Sequence, residues 1–232
     1  MQTTLEAFAA AGRLVVSFDA ELREIVGRSL AVSVSAVALA AAVGLPFGAW
    51  LAVARFRGRR AAVALLDALI GVPPVVVGLF VYLLFTSYGP LGSWGWLHSV
   101  KAMVVAQVLV VFPMVATFTR QAVEALWDEY ADQLRSLGVT PRQAIPTLLY
   151  DARPQLVTIL LAGFGRAIGE VGAVFIVGGN IAHATRVMTT AIALETSKGD
   201  LELALGLGLV LIAIAIVVHL AAHLLRRRER AA

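Results

Sequence analysis

Arg166 and Glu170 are the residues whose types and spacing could do chemistry, four positions apart in the otherwise apolar string AGFGRAIGEVGAVFIVGGN. That separation places both on one face of a helix. Alone at the middle of a bilayer, each charge would cost about 2.5 to 3.5 kcal/mol, so each requires a partner. Arg before Glu is the weaker order for a local pair. Asp67, near one end of another apolar run, is the candidate partner for Arg166 on a second helix. Two roles fit such a cluster: a polar lock that fixes helix packing, or charges beside a route for an ion or polar solute.

Little else in the chain suggests chemistry. There is no cysteine, which excludes disulfides, thiolate metal sites and cysteine nucleophiles. His219 and His223 stand at i, i+4, but the nearest carboxylate in sequence is Glu229 in the basic tail. They read as an interfacial helix end rather than a metal site. No Gly-rich Lys motif for phosphates, HExxH, DxDxDG loop or GxSxG occurs. No catalytic residue, metal site or bound cofactor is expected, and any ATP must be hydrolysed on another subunit.

The elements that carry these residues are membrane helices. With 59% hydrophobic and 15% charged residues and a mean hydropathy of +0.85, the composition is far from a soluble mix. A bilayer core about 30 Å thick takes about 20 apolar residues per helix. Five windows qualify: Leu30 to Ala54, Ala62 to Phe85, Val100 to Phe118, Leu156 to Gly178 and Leu203 to Leu225. The expected architecture is all-α, one transmembrane domain over residues 1–232. Five spans put the termini on opposite sides of the membrane.

Lys and Arg decide the orientation, because cytoplasmic flanks retain them. Twelve arginines follow spans 1, 3 and 5, from Arg55, Arg57, Arg59 and Arg60 through Arg120, Arg135, Arg142 and Arg153 to Arg226–Arg228 and Arg230. Six basic residues lie on the other side: Arg13, Arg23, Arg28, Lys101, Arg186 and Lys198. The amino terminus is expected outside and the carboxyl terminus inside. The net charge of +4 then reflects topology, and no nucleic-acid partner is expected.

Three further features position the site. The first 25 residues lack the order of a signal peptide, and residues 1–28 are read as an outer interfacial helix and lead-in. Leu5, Phe8, Gly12 and Val15 share a face, predicting an outer interfacial helix, with Asp19 as N-cap of the lead-in to span 1. In span 2, Pro73 and Pro74 within GVPPVVVG remove two backbone donors, so the helix must kink or open, for packing or to line a wet route. Glycines are dense in span 4, and Gly165 and Gly169 form a GxxxG suited to close helix contact.

Between spans 3 and 4 lies a long polar interval, taken as residues 120–155, in which RQAVEALWDEYADQLRSLGVTPRQAIPTLLYDARP covers Arg120 to Pro154. Leu126, Tyr130, Leu134 and Leu137 recur at helical spacing, with Gly138 and Pro141 as stop signals. This interval resembles the EAA loop of ABC importer permeases. Aligning Gly138 with the loop glycine sets Asp132 and Gln133 at the Glu-Ala start and Leu148 at the isoleucine, while Tyr150 and Asp151 replace the Leu-Pro ending. VPPVVVG, YGPLG at Tyr88 to Gly92, AMVVAQ at Ala102 to Gln107 and GRAIGEVGAVFIVGGNI at Gly165 to Ile181 resemble the molybdate and tungstate permease group, most of all the tungstate subtype.

The resemblance implies a type I ABC importer permease fold in a prokaryotic cytoplasmic membrane. It implies a homodimer, two cytoplasmic ABC ATPase subunits that bind the ATP, and an extracytoplasmic oxyanion-binding protein. A short helix over about Ala131 to Leu137 would enter a groove on each ATPase, with Leu134 and Leu137 filling it and Asp132 and Arg135 bonding at its rim. For the anion, Asn180, Thr185, Thr189 and Thr190, near the outer end of span 4, are candidate route residues together with Pro73 and Pro74. Rival readings are a permease for molybdate, sulfate or another small solute, an ATP-independent secondary transporter using Arg166, Glu170 and Asp67 as a relay, and a membrane scaffold.

Overall fold

A computed structural model describes residues 11–17 and 19–231, with side chains as far as Leu224. The amino-terminal half of the expected interfacial helix and the arginines of the tail therefore lie outside the described residues or side chains; residues 11–16 are helical. No strand occurs among the described residues.

Helix α1 spans Ala20–Val53 and begins as expected, with Asp19 Oδ1 accepting from the Glu21 and Leu22 amides at 2.9 and 3.2 Å. Helices α2 (Arg59–Ile70) and α3 (Pro74–Phe85) are the two halves of span 2, bent by 100°. Neither Pro73 nor Pro74 has an N–H to donate, and Pro74 takes the first helical position of α3, where its fixed φ suits a helix start. Helix α4 runs unbroken for 37 residues from Val100 to Ser136, capped by the Ser99 hydroxyl. Helix α5 covers Pro141–Asp151, and α6 covers Arg153–Ile168. Span 4 breaks there: α6 and α7 (Gly172–Gly178) are bent by 56°. Helix α8 spans Met188–Lys198 and α9 spans Leu201–Ala231.

Three helices, α1, α4 and α9, are long and apolar enough to cross a membrane, and the two bent pairs make up to five. Their places match the five windows. Helices α1 and α4 form the central pair, and their close approach rests on Gly44 and Gly48: a methyl on Gly48 would collide with the Ala116 carbonyl. The GxxxG expected at Gly165 and Gly169 is not used in this way. A Cβ on Gly165 meets nothing nearer than 3.7 Å, and on Gly169 nothing nearer than 3.5 Å. Close contacts in span 4 fall instead at Gly172 against Val75 and at Gly178 against Met103.

The half-helices beyond the two breaks, α3 and α7, pack on each other. Gly78 lies so near Ala173 that a Cβ would sit 2.7 Å from its Cα. Val81, Phe85, Ala102, Ala106, Ala173 and Val177 bury one cluster around this crossing. A second cluster ties the loop end of the bundle together, with Val123, Trp127, Ala131, Ala144, Leu148 and Leu156 drawn from α4, α5 and α6.

Candidate translocation and coupling sites

The break in span 4 is built by side chains rather than by glycine alone. Glu170 is buried, and its Oε1 accepts from the Ala173 amide at 3.1 Å, capping the start of α7. Its main-chain carbonyl accepts from the Thr189 hydroxyl at 2.8 Å. On the other side of the bend, Gln107 of α4 donates from Nε2 to the Ala167 carbonyl at 2.8 Å, satisfying the end of α6. Gln107 is 4% exposed, and its Oε1 has no partner among the described residues.

The expected Arg166–Glu170 pair does not form. With the helix ending at Ile168, the i, i+4 geometry is lost, and Glu170 turns to the Ala173 amide of α7. Arg166 is exposed and has no ion pair or hydrogen bond among the described residues. Asp67 is not its partner either. Asp67 accepts from the Thr117 hydroxyl at 3.0 Å and lies 3.7 Å from Arg120.

That contact belongs to a chain of charges which the sequence reading missed. Arg120 pairs with Glu124 at 2.6 Å, and Glu124 pairs with Arg59 at 2.6 Å. Arg59 also donates to the carbonyls of Leu51 and Ala52, closing the end of α1. The staple joins α1, α2 and α4 where the bundle meets the long polar interval. Its signal was present as the i, i+4 spacing of Arg120 and Glu124.

Pro73 and Pro74 stand at the first break, with Pro73 exposed and Pro74 half-buried. The hydroxyls placed on the anion route are buried and already engaged. Thr185 donates to the Gly178 carbonyl at 2.6 Å, Thr189 to Glu170, and Thr190 to Val187 at 3.0 Å. Asn180 adopts φ +50° and donates to the Thr190 carbonyl at 3.2 Å. Together they close the segment after α7. Nearby, Arg28 donates to the carbonyls of His183 and Arg186, and Glu24 accepts from both Arg28 and His183, at 2.6 and 2.9 Å.

At the opposite end of the bundle, α4 stops in a Schellman turn. The Val139 amide donates to the Leu134 carbonyl and the Gly138 amide to the Arg135 carbonyl, both at 2.9 Å, with Gly138 at φ +74°. Leu134 and Val139 pack on the cluster below. The helix over Ala131 to Leu137 is therefore not a separate short element: it is the last part of α4, since no breaker intervenes before Gly138. Leu137 is 78% exposed and projects with Asp132 and Arg135, which bond each other at 3.2 Å. Thr140 caps α5, with Gln143 Oε1 accepting from its amide and hydroxyl, and Leu148 is fully buried beneath.

The described residues thus form a helical membrane protein with two bent helix pairs, whose longest helix ends in an exposed turn. The chain belongs to the family of binding-protein-dependent transport system inner membrane components, whose model matches residues 44–231. It is 40% identical over 200 residues to the tungstate uptake system permease protein TupB of Peptoclostridium acidaminophilum, covering 86% of this chain and 88% of that protein. It is 38% identical to a probable anion ABC transporter permease protein of Haloferax volcanii, covering 75% and 77%. To the molybdenum transport system permease protein ModB of Azotobacter vinelandii it is 30% identical, covering 65% and 70%. A chain of the MetNI methionine ABC transporter shares the fold, with a TM-score of 0.70 at 17% identity over 89% of this chain and 95% of that one. The protein is thus a transport component of the inner membrane rather than an enzyme.

Proposed function

We propose that this chain is the permease subunit of an ATP-driven importer for a tetrahedral oxyanion, with tungstate the preferred substrate. It works as a homodimer between two ATPase subunits, docked on the α4–α5 turn, and a binding protein on the other face. The amino terminus lies outside and the carboxyl terminus inside, as the distribution of arginines favours.

The observation that carries this reading is the turn at Gly138. Asp132, Arg135 and Leu137 project from the end of a helix that also packs along α1 through the membrane. A push on the turn is a push on the central helix pair. Packed helices respond to such a force as rigid bodies rather than by bending. The greater identity to tungstate permease proteins than to the molybdenum and sulfate ones supports the substrate.

The substrate is tested by calorimetry of the partner binding protein with tungstate, molybdate and sulfate. Tungstate is expected to bind tightest; micromolar or weaker tungstate binding beside tight binding of another anion contradicts the choice. Uptake that persists with an inactivated ATPase would return the secondary-transporter reading.

A further inference from the structure

Arg166 is an intramembrane cation with no counter-charge among the described residues. It lies ten residues beyond Leu156 along α6, about 15 Å at 1.5 Å per residue, close to the middle of a core about 30 Å thick. An arginine there cannot face lipid without a cost of several kcal/mol, so its surroundings must be wet or charged. Its neighbours on the same face agree. Gln155, Ala162 and Arg166 on α6 and Gly169 at its C-cap are exposed at spacings of seven, four and three, a polar and small stripe left open by the described residues.

Toward the loop end the stripe opens on a cavity of about 410 Å³ between α4 and α6, lined by Phe118, Gln121, Gln155 and Thr158 among others. The Thr158 hydroxyl is buried and has no partner among the described residues. Arginine, hydroxyl and amides thus follow one another along a single face.

Within the apolar windows the acidic residues are Asp67 and Glu170. Asp67 accepts from Thr117 and lies 3.7 Å from Arg120, and Glu170 is buried with its carboxyl on the Ala173 amide. Neither carboxylate pairs with Arg166 within the chain, which leaves its guanidinium open to a mobile anion.

We propose that Arg166 is the cationic contact for the oxyanion in transit, and that Thr158, Gln155 and Gln121 continue the route toward the coupling end. The proposal rests on the oxyanion-permease reading above. A guanidinium presents a planar fork of donors that bonds two oxygens of a tetrahedral anion at once. In a homodimer, two such groups match the charge of a dianion. Wet contacts of this kind hold the anion without trapping it, while the hydroxyls after α7 remain structural.

The chain has no cysteine, so Arg166→Cys introduces a single thiol into the permease. The complete transporter, reconstituted in liposomes with its ATPase and binding protein, is assayed for accumulation of tungstate, molybdate and sulfate. Uptake by Arg166→Cys is expected to fall about tenfold or more, the scale of one charge-assisted contact. Aminoethyl methanethiosulfonate then converts the thiol to a mixed disulfide, with methanesulfinate leaving, and places an ammonium at the site. Uptake is expected to recover with this reagent and not with its sulfonatoethyl counterpart; treated wild-type complex is the control. Arg166→Lys is expected to keep uptake within a few-fold where Arg166→Gln loses it, at equal membrane abundance. Wild-type uptake by Arg166→Cys, equal recovery with both reagents, or a lysine variant as inactive as the glutamine variant overturns the proposal. A wild-type complex that accumulates none of the three anions overturns the oxyanion reading, and the proposal with it.

Discussion

Glu170 and Gln107 illustrate how a polar residue in a membrane helix can serve the backbone rather than the solute. The bend between α6 and α7 frees main-chain groups that lipid cannot satisfy, and these two side chains take them up. Glu170→Gln keeps an acceptor for the Ala173 amide, whereas Glu170→Ala leaves a buried donor unpaired. Loss of a cap of this kind costs about 1 kcal/mol. Thermal unfolding of the purified permease should therefore rank wild type and Glu170→Gln together and Glu170→Ala below them. Equal melting of all three would remove the capping role. The sequence made Glu170 and Arg166 visible as charges, but their pairing depended on a continuous helix. Once the break at Gly169 separates them, one residue becomes structural and the other is left free.

At the scale of elements, the hydropathy windows fall on three long apolar helices and two bent pairs, but they do not give the helix ends. Pro73–Pro74 marked the first break, and Asp19 and Gly138 marked a start and a stop, because each acts through local backbone chemistry. The long reach of α4 was not legible. Its apolar part ends near Phe118, while its hydrogen-bond ladder continues through polar residues to Ser136. The close helix pair was not legible either, since a GxxxG does not state which helix it meets; Gly44 and Gly48 meet α4, while Gly165 and Gly169 meet little among the described residues. Gly48→Val should force α1 from α4 and destabilise by about 1 to 3 kcal/mol, as overpacking does. Gly165→Ala should leave the melting temperature nearly unchanged. Equal loss in both would contradict the assignment of the central pair.

The lead-in to α1 adds a pH-dependent tie between elements. Glu24, ahead of the apolar run that begins at Leu30, accepts from His183 and Arg28, which hold its carboxyl below the ordinary value of 4.5. A lowered carboxyl contributes stability above the unfolded value and loses it as pH falls through the folded one. Wild type should therefore lose its advantage over Glu24→Gln as pH falls below about 4.5. A melting difference that does not change with pH would show that the tie is not ionic.

At the scale of the whole molecule, the staple of Asp67, Arg120, Glu124 and Arg59 and the cluster under α5 make the loop end one rigid unit, from which Asp132, Arg135 and Leu137 project. Gly138 fixes where that unit turns. A residue with a side chain there adopts the left-handed region at a cost of about 1 to 2 kcal/mol, although space around it is open. Gly138→Asp should therefore reach the membrane and fail at coupling rather than at folding. The most direct measurement is ATP-dependent accumulation of tungsten in liposomes that hold the permease, its ATPase and its binding protein, wild type beside Gly138→Asp. The account predicts accumulation by wild type that requires ATP hydrolysis, and its loss in the variant with the permease still in the membrane. Wild-type accumulation in the variant, or accumulation that needs no ATPase, would contradict it.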